Sequence, residues 1–441
     1  MFIEVMLEND GTRSELYAST AATFCLVTKT NDQSEQQIGW MLVYKTVQVN
    51  SKRRGLGMRI LQTSDNHLGE TAYSKVDNTT SLNMRGIDYL NAFRSIGKIA
   101  LNERVDVFLI VGDLFTRTNP HHYYLLEVTR ILKRLSKAGI MTLIVSGNNE
   151  TPRTGAGLNP LTFLSEIDNV FVASEPSTFV LGSYDFVCVP APSKFEDVSH
   201  NFSAVLDIAL EKSTSDKKIL AAHVPVEQAV LGSEQFVEPF AGDYVSQTQI
   251  PDKFSYVALG HMHKFQQIKH ALPMFYSGSS ERFDFGEGNE EKYALLVELE
   301  ESVRIKPVRL PIRKMITVID FDCSGSPASK ITKFVLDSIE VKAKEMKNAL
   351  VRIKLENIDV RENRSINWTP ILEKLEECNV FDYKIQARTS VSLPEAGVLG
   401  ERYVLPPAKE LELYVKSKRQ LAKNAPKLLK LGNQVIQKGD K

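Results

Sequence analysis

The chain has 441 residues, 43% of them hydrophobic and 24% charged, with Lys plus Arg and Asp plus Glu equal at 54 each. This is the composition of a soluble globular protein of two or three units, and it excludes a global basic field, so a polyanion must be met by local patches. No apolar run approaches the roughly 20 residues of a membrane span, and the opening MFIEVMLENDG carries acids where a secretory signal carries Lys or Arg.

Residues 1–57 contain two strand-like stretches, ATFCLVTKT and GWMLVYKTVQV, but no motif. They read as an N-terminal extension without an assigned role, ending in the basic NSKRRGLG, and Met58 reads as the start of a domain. From there the pattern alternates. A strand, RILQTS, precedes a helix near 84–102 with an apolar face at Ile87, Leu90, Phe93, Ile96 and Leu101. VDVFLIVGD is a fully buried strand, Pro120 opens a helix, and MTLIVSGNN is the next buried strand. Strands follow around 178–190, 218–222 and 255–259 and dominate 265–309. This order predicts a layered sheet sandwich covered by helices.

LPIRKMI, near 310–316, reads as a boundary. Residues 314–390 then give strand, helix (328–345), strand (348–355), helix (368–378) and strand (380–387), a small α+β unit. VLPPAK breaks the chain again. Residues 409–441 carry nine Lys and Arg against three acids, with Tyr414, Leu421, Leu428 and Val435 repeating every seven residues and Pro426 dividing two helices. An apolar stripe of this kind needs a covering partner, so partner binding is the first reading of the tail and phosphate contact the second. The four cysteines, Cys25, Cys188, Cys323 and Cys378, are far apart, which fits a reducing compartment and argues against a disulfide framework or a zinc–thiolate site.

Seven residues with metal-ligand chemistry stand just after apolar runs: Asp65 and His67 in TSDNHLG, Asp113 in IVGDLF, Asn148 in VSGNNE, His223 in AAHVP, and His261 and His263 in LGHMH. In sheets wound with crossover helices, strand ends gather at one edge and functional groups are placed there. Hard oxygens and imidazoles suit Mn2+, Fe, Mg2+ or Zn2+. Two ions about 4 Å apart need a shared carboxylate, and Asp113 is the natural bridge. One Gly-Asp turn or one buried His is usually only structural, whereas the ordered set is hard to reach by accident. Tyr73 and Arg85, after the first motif, are placed to stack on a base and touch a phosphate; a pairing of Arg85 with Asp88 is the equal alternative. His121 and His122 read as surface residues at a helix start, and Phe283 and Phe285 as core or loop anchors.

In this order the motifs resemble those of the calcineurin-type metallophosphoesterases. More narrowly, SDNHLG, MRGIDYLNAF, GDLF and YSGSSERFDFGE resemble the double-strand-break repair nucleases of the meiotic recombination eleven and SbcD type. The resemblance is strong over about 58–310 and weak over 311–390. It implies an α/β fold, a four-layer αββα sandwich over 58–310, with a capping domain over 311–390. In residues 391–441 it implies a linker and helices that bind the coiled-coil base of an SMC-like ATPase of the Rad-fifty or SbcC type. It further implies a homodimer acting on DNA ends, single- or double-stranded, in the cytoplasm at the nucleoid, with no membrane. One ion, Mn2+ in the first instance, is expected on Asp65, His67, Asp113 and His263, and the other on Asp113, Asn148, His223 and His261. The implied reaction is exonucleolytic and endonucleolytic hydrolysis of DNA phosphodiesters by a water activated between the two ions.

Two positions depart from the family pattern. Asn149 stands where the family has a catalytic His, and Asn cannot transfer a proton at neutral pH. Thr116 stands where a second His often follows GDLF; it can hydrogen-bond a phosphate but cannot act as an acid. Losing a general acid costs about 10²–10⁴-fold in rate. The sequence therefore supports an attenuated nuclease, with a DNA-end-binding scaffold and a phosphatase or nucleotide phosphodiesterase as its alternatives.

Overall fold

The computed structural model describes residues 57–389 other than 74, 79, 153–157, 192–197, 212 and 231–243, together with four strands of the first 56 residues and position 429. Residues 1–389 form one compact unit. The expected partner-binding helices of 391–441, apart from position 429, and the basic stretch 51–54 lie outside the described residues.

Near the N-terminus, β1 (Ile3–Asn9), β2 (Thr12–Ala18) and β3 (Phe24–Lys29) form an antiparallel meander, and β4 (Thr46–Val47) is a two-residue strand. The next half of the sandwich is wound from β5 (Met58–Thr63), α1 (Met84–Glu103), β6 (Val107–Val111), α2 (His122–Lys137), β7 (Met141–Val145) and β8 (Val170–Ala173), all four strands parallel. The other half uses β9 (Ser177–Leu181), β10 (Tyr184–Val189), α3 (Val198–Leu210), β11 (Lys218–His223), β12 (Tyr256–Gly260), β13 (Gln266–Ile268) and β14 (Met274–Tyr276). The chain then returns to the first sheet as the antiparallel pair β15 (Tyr293–Leu299) and β16 (Val303–Arg309). The sheets read β16-β15-β5-β6-β7-β8 and β13-β14-β12-β11-β10-β9-β4.

Strand alternation explains the layers. Val107, Leu109 and Val111 point into the core between the two sheets, meeting Phe186, Cys188, Ile219, Ala221 and Ala258. Phe108 and Ile110, on the opposite face of β6, pack under α1 and α2 against Phe93, Ile96, Val128 and Leu132. On the far side, Val187, Leu220 and Val257 are covered by Phe202 and Leu206 of α3. A strand buried on both faces needs an unbroken apolar run, and the result is the αββα order.

Residues 315–389 form a smaller module of β17 (Met315–Asp322), α4 (Ala328–Met346), β18 (Leu350–Ile358), α5 (Val360–Ser365), α6 (Thr369–Glu377) and β19 (Asp382–Thr389). Its parallel sheet, β17-β18-β19, buries Val351, Ile353 and Leu355 against Ile331, Val335 and Ile371. It meets the sandwich through Met315, Leu350 and Phe381, which pack on Phe285, Tyr73 and Met84.

A buried polar knot ties the same junction. Arg313 donates to both carboxylate oxygens of Asp88 at 2.6 Å, donates to Asn348 O at 2.9 Å, and lies 3.5 Å from the Phe381 ring centre. Behind Asp88, Arg85 contacts Asp88 at 3.0 Å and Glu281 at 3.3 Å.

Two local expectations are corrected. Pro120 does not open the second helix; the helix starts at His122, and His121 caps it by accepting from Tyr123 N at 3.2 Å. The module also contains a helix, α5, that periodicity does not reveal, because six residues are too few to display a face.

Candidate metal centre

The seven ligand-type residues stand at or just past the ends of strands from both sheets. β5 leads to Asp65 and His67, β6 to Asp113 and β7 to Asn148; β11 ends in His223, and β12 leads to His261 and His263. Asp65, His67, Asp113 and His261 all have positive φ, of 49°, 42°, 50° and 99°. Non-glycine residues rarely adopt this backbone, and it costs of order 1–3 kcal/mol each where a site requires it. The bends hold because backbone bonds cross between loops: Asp65 N donates to Gly112 O at 3.0 Å and His67 N to Asp113 O at 2.9 Å. A Cβ at Gly112 would overlap the His223 ring, and one at Gly147 would overlap the Asp113 carboxylate. Both glycines are therefore required by close approach.

The geometry converges on Asp113. Its Oδ2 lies 3.7 Å from His67 Nε2 and 3.7 Å from His223 Nε2. Asn148 Oδ1 lies 3.1 Å from His223 Nε2 and 3.3 Å from His261 Nδ1. The Asp65 carboxylate accepts the His261 N–H. Two buried triads, Asp65–His67–His263 and Asp65–Asp113–His223, each keep their ligand atoms within 4.8 Å of one another.

Electrostatics prepare these groups for a cation. Burial pushes His67 and His261 down to about 3, so both are neutral imidazoles at physiological pH. Burial also opposes the charge on Asp113, but His223 and the hydrogen bond from the Asn149 backbone N–H outweigh it and hold the carboxyl below its ordinary value. Asp65 is raised, chiefly by burial. Among the described residues, the buried His67 Nε2 has no hydrogen-bond partner. An imidazole nitrogen left so in a buried site is costly, and a divalent cation would satisfy it. The donor set of carboxylate, amide and imidazole fits such ions.

The departing positions have definite places. Asn149 Nδ2 donates to Asp113 Oδ2 at 2.5 Å, and its N–H to Asp113 Oδ1 at 3.0 Å. Thr116 Oγ1 donates to His67 O at 2.9 Å. Arg85 is 1% exposed, and its guanidinium is engaged by Asp88, Glu281 and the Arg282 carbonyl. Tyr73 is half-buried at the module junction. His121 and His122 are exposed at the start of α2. Phe283 does more than anchor a loop: it stacks on His263 at 4.3 Å and meets His67 edge-on at 4.7 Å.

Glu150 escapes the ligand pattern because only its neighbours carry metal chemistry. It is buried, accepts from Phe115 N at 2.8 Å and Gly147 N at 2.9 Å, and so braces the Asp113 and Asn148 loops. Burial, with Asp113 nearby, raises it well above the usual carboxylate range. An acid directly after the Gly-Asn-Asn turn was the available signal.

Among the described residues no helix is long and apolar enough to cross a membrane. Residues 58–265 match the calcineurin-like phosphoesterase family. The chain is 30% identical over 207 residues to the DNA double-strand break repair protein Mre11 of Saccharolobus solfataricus, covering 47% of this chain and 49% of that one. It is 29% identical over 272 residues to the protein of the same name from Sulfurisphaera tokodaii, covering 59% and 65%. With the SbcD component of the SbcCD nuclease of Bacillus subtilis it shares 28% over 266 residues, covering 55% and 66%. The matched part thus spans about half to two thirds of these relatives. Strand-end ligands, a two-sheet sandwich and these matches agree: residues 58–265 resemble a calcineurin-like phosphoesterase domain, and through them the chain resembles the Mre11 and SbcD nucleases.

Proposed function

We propose that the chain is the nuclease subunit of a DNA-break repair complex, hydrolysing phosphodiesters with two divalent ions. The observation that carries the reading is the Asp113 carboxylate, which has one oxygen at 3.7 Å from an imidazole on either side. This position supports the reading of Asp113 as a group that two ions would share. Asp65, His67, Asp113 and His263 would hold one ion; Asp113, Asn148, His223 and His261 would hold the other. Mn2+ is the first choice. When bound, such a pair lowers the pKa of water and offsets negative charge on the attacked phosphate.

The chain's own groups orient and exclude. The neutral imidazoles leave the carboxylates to set the charge of the site, and Phe283 walls off its His67 and His263 side. Asn149 braces Asp113 but cannot protonate a leaving oxygen, and Thr116 is spent on a backbone carbonyl, so the reaction runs without the family's acid. Residues 315–389 would act as the cap over the substrate. The 391–441 tail would dock a coiled-coil ATPase, with the chain as a homodimer at the nucleoid in the cytoplasm.

A second reading, a DNA-end scaffold that holds metals but cleaves little, is favoured by the engagement of Asn149 with Asp113. One experiment separates the readings: Mn2+-dependent cleavage of DNA ends by the chain and by Asn149→His, beside a soluble phosphomonoester. Slow DNA cleavage that Asn149→His raises roughly 10-fold or more supports the attenuated nuclease. No cleavage by either supports the scaffold. Preference for the monoester would replace both with a phosphatase.

A further inference from the structure

The His263 side of the centre is backed by a buried ion pair that the ligand motifs do not contain. Glu287 closes the short turn Phe285–Glu287, whose start is capped by Asp284 accepting from Gly286 N at 2.6 Å. Its Oε2 accepts from Phe283 N at 3.1 Å and from Lys292 Nζ at 2.8 Å. Its Oε1 lies 3.8 Å from His263 Nδ1. Lys292 Nζ also donates to His263 O at 2.9 Å. Both side chains of the pair are 1% exposed. The same segment supplies Phe283, whose ring lies 21° from coplanar with His263.

The opposite side of the centre is held by a neutral group. His223 Nδ1 faces Val111 O at 2.9 Å. A carbonyl fixes which ring nitrogen carries the proton, whereas a carboxylate does that and also raises the basicity of the other nitrogen. Burying two charges carries a desolvation cost that their attraction only partly returns. Here both charges face His263, Glu287 at 3.8 Å from its ring nitrogen and Lys292 at 2.9 Å from its carbonyl.

We infer that Glu287 is a positioning residue for His263, keeping Nδ1 as the proton donor and presenting the Nε2 lone pair to a divalent cation. Lys292 keeps the carboxylate in place. The Asp65–His67–Asp113–His263 side then binds the tighter of two ions. The inference rests on the metal-centre reading above.

The test is calorimetric titration of the full chain, stripped by a chelator, with Mn2+ alone. The unchanged chain is expected to take two ions of unequal affinity. Glu287→Gln should weaken the tighter ion roughly 10- to 100-fold and leave the weaker one in place, whatever happens to cleavage. The double variant Glu287→Gln, Lys292→Met removes both charges and should show the same selective loss. That separates loss of the carboxylate from the disturbance of a buried lysine left with the Glu290 carboxylate at 3.3 Å, and it carries the test if the single variant fails to fold. Recovered affinity in the double variant, equal weakening of both ions, or an unchanged isotherm overturns the role of Glu287. An unchanged chain that takes up no Mn2+ overturns the metal-centre reading instead.

Discussion

The strands β5, β6 and β7 of the sandwich and the strands β17, β18 and β19 of the module are both parallel and both packed against helices, but they end in different surroundings. After the first set, Asp65, His67 and Asp113 are nearly sealed from solvent. At the ends of the second, Asp322 of β17 and Asn357 of β18 are exposed and bond across the strands, Asn357 Nδ2 donating to Asp322 Oδ1 at 3.2 Å. Burying polar groups without full hydrogen bonding costs about 1–3 kcal/mol each, so the first arrangement is one that folding alone would remove. The second costs nothing. The same β/α architecture thus serves as a reactive edge in one place and as a support in the other, and the burial of its polar ends tells them apart.

Three substitutions bear on that contrast, in falling order of effect. Asp113→Ala should cut Mn2+-dependent phosphodiester cleavage by at least roughly 10³-fold, because a shared ligand supports several kcal/mol of transition-state stabilisation. Steady-state cleavage assays check this, and retention of a tenth of the rate would mean that Asp113 is not the shared group. Arg313→Met removes the two-pronged partner of Asp88, leaving it Arg85 at 3.0 Å, and should lower stability by about 2 kcal/mol in urea unfolding, with Mn2+ stoichiometry unchanged. An unmoved midpoint would show that the apolar contacts of Phe381 and Met315 suffice. Asp322→Asn, at an exposed strand end of the module, should leave both the urea midpoint and cleavage unmoved. A loss of cleavage there would place chemistry on the module as well.

Much of the sandwich is legible because its physics is local. A strand buried on both faces is an apolar run, and the polar residues that interrupt it, Asp65, Asp113, Asn148 and His223, mark the edge where the run stops. Helix α1 is legible for the same reason: Leu90, Phe93 and Ile96 recur at helical spacing and are fully buried. Pairings between distant segments are not legible. Arg313 and Asp88 are 225 residues apart. Glu287 and Lys292 sit in GEGNEEK, a charge-rich run that reads as a solvated loop until the fold buries it. The β1–β2 hairpin is an intermediate case. Asn9 pairs with Thr12 across Asp10-Gly11, a strong short-range hairpin signal, yet its strands carry so many polar residues that alternation alone does not reveal them.

The centre draws Asp65, His67, Asp113 and Asn148 from one sheet and His223, His261 and His263 from the other. It therefore works as a calliper whose jaws are the two sheets. The width of the jaws is set by Leu109, Val145, Phe186 and Ala221, which touch no ion and no substrate. On the proposed metal reading, a methyl group added or removed in that layer would change how far apart the two sets of ligands stand and hence which ionic radius suits the site. Metal preference would then be tunable from the core, without altering a single ligand.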